Sequence, residues 1–101
     1  MSSIPIKHYR DFWDVPRIFL VLEDKTLFLF DCRFDESKED YETTYHVFLM
    51  PDLKEDDISG TWVRLSERAI EYLGETPVKE VKFDKTRRRS IDNKVLSQLR
   101  T

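Results

Sequence analysis

Five consecutive apolar residues, Ile18-Phe19-Leu20-Val21-Leu22, place the strongest constraint on this chain. A strand sends alternate side chains to opposite faces, so such a run has no face to offer to water. It reads as a strand covered on both sides, in the middle of a sheet. It is the longest apolar run in the sequence and falls far short of the ~20 residues that a membrane-spanning helix needs.

The flanking sequence extends that strand into a meander. Glu23-Asp24-Lys25-Thr26 is a short polar connection. It lacks the Asn-Gly or Asp-Gly pair of a two-residue primed turn, so a bulged or four-residue loop is as well supported. Leu27–Phe34 reads as the returning strand, with Phe28, Phe30, Cys32 and Phe34 on one face and Leu27, Leu29, Asp31 and Arg33 on the other. After the charged loop 35–40, Tyr41–Met50 is rich in β-formers and is closed by Pro51. Upstream, Ile4–Tyr9 reads as an edge strand that tolerates Pro5, and Asp11–Pro16 as a turn.

Downstream the signals become local. Pro51–Gly60 is a polar connector with room for one helical turn. Ser66–Gly74 has the punctuation of a short helix: Ser66 at the N-cap, Glu67 in the first turn, Gly74 at the left-handed end, and Ala69, Ile70 and Leu73 on one face. Val78–Phe83 reads as a strand begun by Pro77. Ser90 would cap a final helix with an Ile91, Val95, Leu96 and Leu99 stripe. The expected fold is α+β: a curled antiparallel meander, barrel-like in tendency, with one short helix and a C-terminal helix, forming a single domain over residues 1–101.

Composition narrows the class. The chain of 101 residues is 37% charged, yet it carries seven Phe, four Tyr and two Trp, enough aromatic surface for a core that a disordered chain lacks. Cys32 is the only cysteine, which excludes an internal disulfide or a multi-cysteine zinc site. The first ten residues have no apolar signal core. The expectation is a reduced cytoplasmic protein with no membrane association. The net charge of −3 is a sum of opposites: residues 1–78 carry −8 and residues 79–101 carry +5. The basic segment either packs on its own acidic body or takes an anionic partner.

Chemistry-bearing patterns are few. Cys32 is expected opposite a residue between Thr44 and His46, so a Cys32–His46 thiolate pair is conceivable for a small enzyme. Against it, Cys32 shares a face with phenylalanines, where a thiol is ordinarily inert. His8, His46 and Cys32 have no metal-ligand spacing, and the acidic loops 35–40 and 52–57 lack the alternating ligands and central glycine of a calcium loop. No metal or cofactor is expected. Lys79, Lys82, Arg87, Arg88 and Arg89 form the cationic segment, although aromatic residues do not interleave with them along the chain as a base-stacking platform would require. Arg87-Arg88-Arg89-Ser90 also matches a basophilic kinase target, a pattern frequent by chance. Trp13 and Trp62 are candidate interface anchors, with closure of the core as the competing role. The leading expectation is a non-enzymatic protein-interaction or regulatory module with an unidentified partner or a second copy. A nucleic-acid-associated protein binding through residues 79–101 is the alternative, and an enzyme using Cys32 and His46 is the weaker one.

Overall fold

The computed structural model describes residues 3–60, 62 and 64–99. Six antiparallel strands form one curled half-barrel sheet: β1 (Ser3–Trp13), β2 (Val15–Glu23), β3 (Thr26–Asp31), β6 (Thr44–Met50), β7 (Glu71–Pro77) and β8 (Ser90–Asp92), in the order β7-β6-β3-β2-β1-β8. A separate two-stranded hairpin, β4 (Phe34–Asp35) and β5 (Asp40–Tyr41), projects between β3 and β6. Two short helices complete the α+β fold, α1 (Glu55–Ile58) and α2 (Lys94–Leu99).

The apolar run lies in β2, between β1 and β3, and both faces are covered as its composition requires. Phe19, Val21, Phe28, Phe30, Tyr45 and Val47 point into one core. Ile18, Leu20, Leu29, Phe48 and Met50 point into the other. On the first face, Phe19 and Phe30 stack at 4.8 Å and 11°, and the Tyr45 ring stands edge-on to both. The Tyr45 hydroxyl donates to the Pro16 carbonyl at 2.7 Å, which gives its one polar atom a partner inside the core.

The β2–β3 connection is the two-residue turn, despite its sequence. Glu23 pairs with Thr26, and both Asp24 (φ 49°) and Lys25 (φ 66°) are left-handed. The twist of the two strands selects the primed turn even without glycine. The first strand is also longer than its sequence implies. It runs to Trp13 and reverses on the single left-handed residue Asp14 (φ 64°), so that Trp13 faces Val15 and the expected turn over Asp11–Pro16 shrinks to its centre. Phe34 leaves the apolar face of β3 for the β4–β5 hairpin and is exposed.

Three downstream readings are corrected. Residues 66–74 do not form a helix: a 3-10 turn covers Leu65–Arg68, and Glu71–Pro77 is β7. The open edge of β6 needs hydrogen-bond partners, and β7 supplies them. Gly74 (φ 124°) sits at a bulge where the register shifts between Val47 and Phe48, not at a helix end. Val78–Phe83 does not form a strand. The chain must pass from β7 at one sheet edge to β8 at the other, and a segment crossing over a face cannot pair within it. Val78–Glu80 makes a 3-10 turn, Val81 is buried in the first core, and Phe83 alone bridges to Ile91. Ser90 and Ile91 belong to β8, and α2 starts later, where the Asp92 carboxylate accepts from the Lys94 amide at 2.8 Å. The short helix of the fold is therefore α1, which with Trp62 and Leu65 roofs the second core.

Two measurements probe this packing. Tyr45→Phe removes the buried hydrogen bond to the Pro16 carbonyl and should lower the unfolding free energy by about 0.5–1.5 kcal/mol in urea titration. Lys25→Gly removes a left-handed side chain and should raise it by roughly 0.5–1 kcal/mol with an unchanged denaturant slope.

Candidate functional site

Arg17, just before the apolar run, joins three parts of one end of the molecule. Its Nε donates to the Trp13 carbonyl at 3.1 Å, its Nη2 lies 3.7 Å from Asp14 Oδ2, and its guanidinium rests over the Tyr41 ring at 4.9 Å. Its Nη1 also faces Cys32 Sγ at 3.6 Å. The β1–β2 tip and the β4–β5 hairpin are thus fastened together through one largely covered cation.

The basic segment reaches the same tip from the other side. Arg87 Nη1 donates to the Asp14 carbonyl at 3.1 Å and lies 4.0 Å from Asp14 Oδ1. The Arg88 guanidinium stacks on the Phe12 ring at 3.9 Å. Trp13, the residue between Phe12 and Asp14 in the chain, is 66% exposed. Aromatics and arginines that are some 75 residues apart along the chain therefore form one patch by folding.

The loop that presents the arginines is built around Asp84. Its Oδ2 accepts from the Thr86 hydroxyl at 2.5 Å and the Thr86 amide at 3.0 Å, and its Oδ1 accepts from the amides of Arg89 and Ser90 at 3.0 and 3.2 Å. The Thr86 hydroxyl foremost, then these amides, hold the Asp84 carboxyl well below the usual carboxylate range. Arg87 can then adopt a left-handed backbone (φ 61°) at the turn.

The other sequence candidates are scattered. Lys79 is exposed beside a cleft of about 760 Å³ that Asp14, Arg17, Tyr41 and Pro77 also border, so it adjoins the patch. Lys82 lies apart, near Asp92, Lys94 and Val95. Trp62 is buried: its Nε1 donates to the Ile58 carbonyl at 3.0 Å, and Arg10 covers its ring at 4.7 Å. Arg100 lies outside the described residues.

Cys32 and His46 occupy opposite faces. The β3–β6 pairing sets Asp31 against His46, within the range the sequence left open for Cys32, so Tyr45 and not His46 shares the face of Cys32. The Cys32 thiol donates to the Glu42 carbonyl at 2.9 Å, and burial pushes its pKa up despite the nearby Arg17. His46 instead meets the Tyr72 hydroxyl at 3.1 Å, Glu42 Oε1 at 3.5 Å and Glu75 Oε1 at 3.8 Å. Among the described residues, no three His, Cys, Asp or Glu side chains gather as a metal site, and no helix is long and apolar enough to cross a membrane.

Sequence reasoning passed over Arg17, Tyr41 and Asp14, although Phe12 stands in the aromatic stretch Tyr9–Trp13. Nothing in their spacing signals the patch, because it needs the β1–β2 tip, the hairpin and the crossing loop to meet. No family model matches the chain, and no curated protein or solved structure matches it either.

Two outcomes test this local chemistry. Cys32 should resist iodoacetamide in the native protein and react freely in urea. Asp84→Ala should open the arginine loop, seen as faster trypsin cleavage after Arg87–Arg89. The depressed carboxyl pKa gives the sign of the pH effect: its stabilising contribution is full above the ordinary value of 3.8 and is lost as the pH falls from there through the lower folded value. An acid-side loss of stability should therefore be smaller in the variant.

Proposed function

We propose that this protein is a non-enzymatic protein-interaction module, cytoplasmic, that takes an acidic protein segment on the patch formed by Trp13, Arg87, Arg88 and Arg89. The observation that carries the reading is a loop of arginines that hydrogen bonds hold in shape and fasten to the β1–β2 tip, where Trp13 is exposed. Trp and Arg are the residues most often found as energetic anchors at protein interfaces. A guanidinium pairs with carboxylates through a two-pronged fork, so a prearranged set of them favours an acidic segment. Lys79, at the adjoining cleft, adds a further cation to the rim.

Two features favour a protein ligand over nucleic acid bound through residues 79–101. The Phe12 face is already occupied by Arg88, so among the aromatics of the patch Trp13 is left to stack on a base. Lys82 points to another part of the surface. Catalysis by Cys32 and His46 is disfavoured by their placement on opposite faces of the sheet. The lone cysteine, buried as a thiol, accords with a reducing compartment.

Titration with poly-L-glutamate at low salt, followed by tryptophan fluorescence, tests this reading. A saturable change that disappears in Trp13→Phe is expected, since Trp62 is buried. Arg87→Ala/Arg88→Ala/Arg89→Ala should weaken it by about tenfold or more, with the fold checked by circular dichroism. Binding of a single-stranded oligonucleotide with no response to poly-L-glutamate would overturn it in favour of the nucleic-acid reading.

A further inference from the structure

The β4–β5 hairpin carries Asp35, Glu36, Glu39 and Asp40 against one cation, Lys38. The crossing loop carries Lys85, Arg87, Arg88 and Arg89, and its one acid, Asp84, turns its carboxylate inward to the loop amides. These two oppositely charged elements flank the same β1–β2 tip. Arg87 holds Asp14 on one side, and Arg17 rests on Tyr41 of the hairpin on the other. The tip itself carries Trp13, 66% exposed, and the hairpin adds Phe34, 52% exposed and edge-on to Tyr41.

We propose that the acidic segment this patch takes is the β4–β5 hairpin of a second copy, in a two-fold dimer with its axis near Trp13. The inference rests on the reading of the patch given above and names its partner. A two-fold contact uses one surface twice, so that surface must be complementary to itself. This one is: each copy's hairpin would meet the other's arginine loop, around an aromatic centre with a charged rim. The edge strand β7, with exposed Tyr72 and with exposed Ile70 just before it, is the rival surface for self-association. Antiparallel pairing of two β7 strands about Leu73 would set Glu71 opposite Glu75, a like-charge contact, and Pro77 withholds an amide at its end.

Sedimentation of the full chain over a range of concentrations and salt tests the proposal, using a charge exchange. Lys85→Glu/Arg89→Glu reverses the loop, and Glu36→Lys/Glu39→Lys reverses the hairpin, at four exposed positions whose side chains stand outside the Asp84 hydrogen bonds. The wild type should be a dimer that salt weakens and poly-L-glutamate disperses. Each variant alone should dimerise at least about tenfold more weakly, and an equimolar mixture of the two should recover a dimer. A wild type that stays monomeric, or a mixture that does not recover, overturns the dimer. If poly-L-glutamate still changes the Trp13 emission in a monomeric wild type, the patch keeps its acidic-segment specificity and only the second copy is lost.

Discussion

Two-sided burial of the central strands governs the rest of the molecule. The aromatic set of Phe19, Phe30 and Tyr45 fills one face, and Ile18, Leu20 and Leu29 fill the other. Each large apolar side chain withdrawn from water contributes roughly 1.5–3 kcal/mol. A domain's whole net stability is about 5–15 kcal/mol, so neither face could be left open. The chain therefore needs two covers. Leu53, Ile58, Trp62, Leu65 and Ala69 roof one face, and Val81, Phe83, Val95 and Leu96 roof the other.

The second cover explains where the charge goes. A segment that must cross from β7 to β8 passes the β1–β2 tip on its way, and the arginines arrive there as a consequence. Part of the basic tail thus acts on its own body: Arg87 on Asp14, and Arg88 on Phe12. The net charge conceals a molecule with a cationic loop and an anionic hairpin on either side of the β1–β2 tip. The patch is a by-product of the topology that the core demands.

Local signals misled where two structures compete for the same backbone groups. Ser66, Glu67 and Gly74 are good helix punctuation, and Ala69, Ile70 and Leu73 have helical spacing. The unpaired edge of β6 outweighs them, because a strand there satisfies the amides of two segments at once. In that strand Leu73 turns to the first core and Tyr72 to the His46 side, the period of two replacing the period of 3.6. The expected strand at Val78–Phe83 failed for the converse reason: its residues have strand pattern, but the crossing chain meets a partner only at its end, where Phe83 bridges to Ile91.

The sequence by itself determined the sheet centre. The apolar run, the β2–β3 hairpin and the strand ending at Met50 all follow from period-two patterning and short connections, which act between neighbours in the chain. It also set Cys32 on one face with Phe28 and Phe30, and the structure buries it there as a thiol. Only the tertiary structure decided the fate of residues 66–99 and the composition of the patch. Arg17, Tyr41, Phe12 and Arg88 come from separate elements, and their meeting depends on which edges and faces remain to be covered once the sheet has formed, a long-range condition that no local pattern encodes.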